Sequence, residues 1–172
     1  MHQDDFTRTV LVLKNKMYRF ALSIIGDPDE AKDIVQDVML KLWETRDELK
    51  EKRSVEAWSM TLVRNRSLDL IKRMGRKMKT DIDDVSVKLI APEKLPDSYT
   101  IENETMEQIK QAVMRLPEKQ RSVFQLRDVE GYAYLEICET LNMEMSQVKV
   151  YIFRARNAIK ESLEKMSNYG QQ

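Results

Sequence analysis

Apolar side chains recur every three or four residues through most of this chain, the period of helices that bury one face. Phe6, Val10, Leu13, Met17, Ala21 and Ile24 form the first stripe, which Gly26, Asp27 and Pro28 interrupt. A second helix opens around Asp29 and Glu30, whose negative charges suit a helix N-terminus, and carries Ala31, Ile34, Val35, Val38, Met39, Leu42 and Trp43. A third follows Ser54 as its N-cap, carries Ala57, Trp58, Leu62, Leu68 and Ile71, and ends before Gly75. These three helices predict a first domain over residues 1–77. Over 78–103 the period fades and Asp81, Asp83, Asp84, Pro92, Pro96 and Asp97 accumulate, the composition of a flexible linker.

Periodicity returns with Ile109, Ala112, Val113 and Leu116; Pro117 then begins a new helix through Val123, Phe124 and Leu126 up to Gly131. Residues 134–163 read as helix, tight turn, helix. Ile137, Cys138 and Leu141 point inward on the first, Asn142 takes the left-handed conformation that ends it, and Ser146 caps the second. On that second helix Val148, Ile152, Ala155, Ile159 and Leu163 share one face. Lys149, Val150, Phe153, Arg154, Arg156, Asn157 and Lys160 occupy the others. The second domain spans 104–172, and the fold is all-α, two small helical domains joined by a linker.

Composition agrees with helix. Among 172 residues there are only 4 Gly and 4 Pro, too few for the turns of an all-β fold. The single cysteine, Cys138, excludes an intramolecular disulfide, and with His2 the only histidine there is no cluster of soft metal ligands. Cys138 is read as a buried structural thiol. The acidic N-terminus, MHQDDFTRTV, is unlike a signal peptide, and no apolar run reaches membrane-spanning length, so a cytoplasmic protein is expected.

The formal net charge is zero, but the charges are segregated. Residues 51–79 hold nine Lys/Arg against three acids, whereas 81–107 hold two against eight. The basic segment and the helix pair together suggest nucleic acid. In a helix-turn-helix the second helix lies in the major groove with its early side chains at base edges, while Lys and Arg neutralise phosphates.

Three runs carry a family resemblance. Residues 116–127 (LPEKQRSVFQLR), with Gly131, residues 134–137 (YLEI) and residues 148–156 (VKVYIFRAR), closely resemble the carboxy-terminal domain of bacterial sigma factors, which reads the minus-thirty-five promoter element. Residues 30–37 (EAKDIVQD) with Leu42 and Trp43 resemble the sigma helix that docks on the clamp coiled coil of RNA polymerase. Ala57 and Trp58 through Arg64, Asn65, Asp69 and Arg73 resemble the helix that engages the minus-ten element. With both halves in order and the intervening segments of principal sigmas absent, the chain resembles the two-domain extracytoplasmic-function group.

That resemblance implies a non-enzymatic subunit without cofactor or metal. It would bind core RNA polymerase through the clamp coiled coil and flap, direct it to promoter DNA and aid melting, under control of an anti-sigma factor. Asp33, Gln36 and Asp37, off the apolar stripe, are the polymerase-binding candidates. Lys52, Arg53, Ser54, Arg64, Asn65, Asp69, Lys72, Arg73 and Arg76 are the minus-ten candidates, the loop at 50–54 matching the position where relatives accept a flipped base. Arg66, Lys77 and Lys79 extend this basic surface. Trp58, among Ala57, Leu62 and Val63, is read as core rather than as a stacking platform. Arg127, Ser146, Lys149, Val150, Phe153 and Arg154 are the minus-thirty-five candidates. Phe153 can touch a thymine methyl or pack against the fold. Val150 stands where many relatives place a small polar residue, and Ala133 where a Ser or Thr cap is usual.

Other classes explain less. A self-sufficient operator-binding regulator accounts for the helix pair but not for Asp33, Gln36 and Asp37 beside Trp43. A nucleotide hydrolase lacks any GxxxxGK or GxSxG motif and any catalytic histidine. An anti-sigma module would not need two basic DNA-facing surfaces.

Overall fold

The computed structural model describes residues 3–80 and 101–170, with side chains placed for 4–75 and 104–170. Among the described residues every regular element is helical. They divide into two compact units, one built from the helices of the first eighty residues and one from the helices after residue 100.

In the first unit α1 (Gln3–Val10) passes through a 3₁₀ turn at Leu11–Leu13 into α2 (Lys14–Ile25). The single helix expected over Phe6 to Ile24 is thus two. Its stripe nevertheless stays inward: Phe6, Val10, Leu13, Met17, Phe20, Ala21 and Ile24 are buried, and the extra turn exposes Leu11 and Val12. Gly26 ends α2 at φ 76°, a left-handed conformation that glycine adopts without Cβ strain. Helix α3 (Pro28–Glu44) starts one step earlier than the acidic pair suggested, because the Asp27 carboxylate caps it. Its Oδ1 accepts from the Asp29 amide at 2.8 Å and the Glu30 amide at 3.0 Å, and Pro28 fills the first turn, where no amide proton is needed.

After a 3₁₀ turn at Glu48–Glu51 comes α4 (Val55–Thr80), where Ser54 Oγ accepts from the Ala57 amide at 3.1 Å as expected of an N-cap. This helix does not stop before Gly75. Nothing lies within 4 Å of a Cβ built at Gly75, and its φ is not positive, so the residue continues the helix at a propensity cost of about 1 kcal/mol. Helices α2, α3 and α4 pack together around Met17, Phe20, Leu42, Met60 and Val63, each with no exposed surface. Buried Ser59 and Ser67 return their hydroxyls to carbonyls four residues back, at 2.7 and 2.8 Å. Ile71, expected in the α4 stripe, is 41% exposed because it lies beyond this core.

In the second unit α5 (Ile101–Met114) and α6 (Glu118–Phe124) pack against α8 (Met145–Gly170). Pro117 is extended and precedes α6 as its cap instead of opening it. Helix α6 widens into one π-helical turn at Gln125–Val129, which Gly131 closes at φ 77°. Helix α7 (Tyr134–Leu141) then ends on Asn142 at φ 50°, the left-handed turn expected there. Ala133 has no side-chain acceptor for the start of α7, but Glu136 Oε2 accepts from its amide at 2.7 Å, closing half of a capping box. Ser146 does not cap α8. The helix begins at Met145, and Gln147 Oε1 accepts from the Glu144 amide at 3.0 Å, leaving Ser146 exposed in the first turn. Cys138 is half-buried, not buried as expected. The expected linker lies, over 81–100, outside the described residues, as do the side chains of Arg76, Lys77 and Lys79.

Truncating a fully buried side chain here leaves a cavity. Leu42→Ala should destabilise the protein by about 2–5 kcal/mol in urea titration, whereas Val12→Ala, at an exposed position, should change it by no more than about 0.5 kcal/mol.

Candidate nucleic-acid and partner-binding surfaces

Helix α3 turns Ala31, Ile34, Val35, Val38 and Leu42 into the core, which leaves Asp33, Gln36 and Asp37 as an exposed ridge at three- and one-residue steps. The three do share a surface. They line a groove between α3 and α4 together with Glu30, Arg66 and Arg73, floored by Ile34 and Leu70. Arg66 crosses it, donating from Nε at 2.9 Å and from Nη2 at 2.6 Å to Asp37 Oδ2. The sequence separates an acidic partner surface from a basic one; in space they adjoin through this ion pair.

Asn65 and Asp69 line the neighbouring depression with Asp37, Lys41, Glu44, Leu62 and Leu40, the last 58% exposed. Leu40 was missed by sequence reasoning, although its position off the 34-35-38-42 stripe was a usable signal. On α4, Asn65, Asp69 and Lys72 recur at four and three residues and so form one stripe. Arg64 lies on a different side of the helix and is half-buried, so it does not join them. Trp43 is not inward either: it is 37% exposed, meets Phe6 edge-on at 5.1 Å and carries the Arg46 guanidinium 4.6 Å above its ring.

Lys52 and Arg53 are exposed in the extended stretch before α4. Lys52 Nζ sits 4.3 Å over the Trp58 ring, a cation–π contact. Trp58 is therefore a half-buried edge of the core with one face toward the loop, which is more open than expected. Ser54 serves the α4 cap.

In the second unit α8 buries Val148, Ile152, Ala155 and Ile159, and Ser146, Lys149, Val150, Phe153 and Arg154 all stand outward on it. Phe153 does not pack against the fold; it is 67% exposed. Arg127 is held apart from this row on the π-helical turn. Its Nη1 donates to the Tyr132 carbonyl at 2.7 Å and its guanidinium lies 4.6 Å over the Tyr134 ring.

Next to it Asp128 receives both Arg156 nitrogens, Nε at 2.8 Å and Nη2 at 2.6 Å, a fork-to-carboxylate pair that ties the π-helical turn to α8. Donating these hydrogen bonds to Asp128 raises the Arg156 pKa further above its already high value. Arg121, part of the family-like run at 116–127, is also structural: Nη1 donates to the Met114 carbonyl at 3.0 Å. Burial lowers its pKa, against the raising effect of Glu118. The sequence offered no signal for the Asp128–Arg156 pair, whose members are 28 residues apart.

Among the described residues no group of three or more His, Cys, Asp or Glu is placed to hold a metal, and no helix is long and apolar enough to cross a membrane.

Residues 10–77 match the family model for Sigma-70 region 2, and residues 106–159 match that for Sigma-70, region 4. The chain is 26% identical to the ECF RNA polymerase sigma factor SigW of Bacillus subtilis over 94% of its own length and 90% of that protein. Among solved structures it resembles the sigma factor RpoE of Bartonella quintana, crystallised with the anti-sigma factor NepR. That match has 25% identity, a TM-score of 0.79, and coverage of 93% of this chain and 97% of the other. It also shares the fold of CnrH, solved in complex with the cytosolic domain of CnrY, at 18% identity and a TM-score of 0.68, covering 95% and 90%.

The Asp128–Arg156 pair is half open to solvent, so a double-mutant cycle with Asp128→Asn and Arg156→Gln should give a coupling energy of about 1 kcal/mol or less in thermal or urea unfolding.

Proposed function

The chain belongs to the sigma-70 family, in its extracytoplasmic-function group, and we propose a division of labour among its surfaces within promoter-directed initiation by core RNA polymerase. The observation that carries this reading is the outward row Lys149, Val150, Phe153 and Arg154 on α8, within the region 4 match.

Helix α8, with Arg127 beside it and Ser146 in its first turn, reads the upstream promoter block. Lys149 and Arg154 reach guanine acceptors or phosphates, and Arg127, pre-set on Tyr134, offers a guanidinium whose orientation is largely fixed before binding. Asp33, Gln36 and Asp37 bind the clamp coiled coil of the polymerase. A basic partner there competes with Arg66 for Asp37, so docking turns an internal ion pair into an intermolecular one.

Lys52, Arg53, Ser54, Asn65, Asp69, Lys72, Arg73 and Arg76 face the downstream block, with Arg64 at its margin. Opening the duplex costs a few kcal/mol per unstacked step, which binding of the separated strand offsets without ATP. The protein contributes binding energy and no catalytic group, and it acts in the cytoplasm. An anti-sigma protein holds it inactive, as the complex of the Bartonella relative suggests.

Reconstitution with bacterial core polymerase on a genomic fragment library should yield start sites that require this chain, preceded by a shared two-block promoter. Binding to the library without core enzyme and with no initiation would favour an operator-binding regulator instead. On such a promoter Lys149→Ala and Arg154→Ala should each weaken recognition by about 1–3 kcal/mol with core affinity unchanged. Asp33→Lys should do the reverse, lowering core affinity in a pull-down. Equal loss of both activities in the α8 variants would defeat the assignment.

A further inference from the structure

We propose that Arg66 couples the two binding surfaces of the first unit. Docking of the polymerase on Asp37 releases the Arg66 guanidinium, which then takes a phosphate of the downstream promoter block. The inference rests on the clamp and minus-ten reading above and adds an exchange of partners between those two surfaces.

Helices α3 and α4 border two depressions, one lined by Asp33 and Gln36 and the other by Asn65 and Asp69. Asp37 and Arg66 line both, so their ion pair is the wall that the two surfaces share. Arg66 donates from Nε at 2.9 Å and from Nη2 at 2.6 Å to the same oxygen, Asp37 Oδ2. A partner cation arriving at that carboxylate competes for its lone pairs and also repels the guanidinium. The two side chains are 44% and 51% exposed, so the pair opens into solvent and not into the core. Opening therefore costs no more than an exposed ion pair is worth.

While Asp37 holds it, Arg66 is a neutralised cation and adds little to the attraction of DNA. Once released, it stands beside Asn65 and three residues from Asp69 on the same helix, with a planar fork of donors that suits a phosphate. One guanidinium thus answers an acid of the chain in the free state and a phosphate in the assembled state. Linkage then requires reciprocity: core polymerase strengthens DNA binding, and DNA strengthens core binding, by the same factor.

The test is Arg66→Gln, read in two assays. Without DNA, titration of labelled chain with bacterial core polymerase should show the variant binding about two- to fivefold more tightly, because the internal competitor for Asp37 is gone. Holoenzyme preformed with saturating variant should instead bind a promoter recovered from the genomic library about two- to fivefold more weakly, because the released cation is missing. Opposite signs in the two assays are the signature of the exchange. Unchanged core affinity with weaker promoter binding would make Arg66 a plain DNA contact. Tighter core binding with unchanged promoter binding would make it a competitor alone, and loss in both assays a structural residue; each of these overturns the coupling. Asp37→Asn separates the two readings: it should weaken core binding, and if it does not, the clamp assignment itself fails.

Discussion

The reading of base edges proposed for α8 depends on the rotation of that helix about its own axis, and burial of one stripe of α8 fixes that rotation. Val148, Ile152, Ala155 and Ile159 lie between zero and 8% exposed, and Ala155 and Ile159 cluster with Ala112, Val113 and Leu116. A turn of α8 large enough to misdirect Lys149 or Arg154 would bring these side chains into water. Burial of Val148, Ile152 and Ile159 contributes about 1.5–3 kcal/mol each, so such a rotation costs more than a single base contact returns. The outward face is rigidly directed because the opposite face is hydrophobic. The Asp128–Arg156 fork adds less energy than this packing, but it links α8 to the π-helical turn that carries Arg127.

The first unit works under a different constraint, set by charge. Its groove joins an acidic ridge from α3 to basic residues from α4, and Arg66 already answers Asp37. An exposed pair of this kind is worth little to the fold, so exchanging Arg66 for a cation of a partner costs little. The zero net charge of the whole chain has the same character, since it conceals a strongly basic stretch followed by an acidic one.

What was legible in the sequence follows from what is periodic or local. The stripes of α2, α3 and α8, the Ser54 cap and the Asn142 turn each depend on residues a few positions apart, and sequence spacing reports them directly. The interruption at Leu11–Leu13, the continuation through Gly75 and the exposure of Ile71 were not legible, because tertiary packing decides them and the local signal is weak or points the other way. At the candidate sites, residue types and the outward direction on α8 could be read from the pattern. The partners could not: that Arg66 meets Asp37, or that Arg156 meets Asp128, depends on distances between elements 29 and 28 residues apart in the chain.

Those hidden partners change how the basic residues of the second unit should be counted. Arg121 is half-buried against the Met114 carbonyl, Arg156 is engaged by Asp128, and Arg127 is stacked on Tyr134 with one nitrogen on the Tyr132 carbonyl. From sequence Arg121 has no assigned role, Arg156 is part of the basic face of its helix and Arg127 is a DNA candidate. In the fold the first two serve the architecture, and Arg127 is available only in one fixed pose. Lys149 and Arg154, exposed on α8, then carry much of the mobile charge of its outward face, and ordering each long side chain on any contact costs up to about 2 kcal/mol. A face with so few mobile cations gains limited affinity from electrostatics. Val150 and Phe153 beside them are stiffer side chains, which lose less freedom on any contact than a lysine or arginine does.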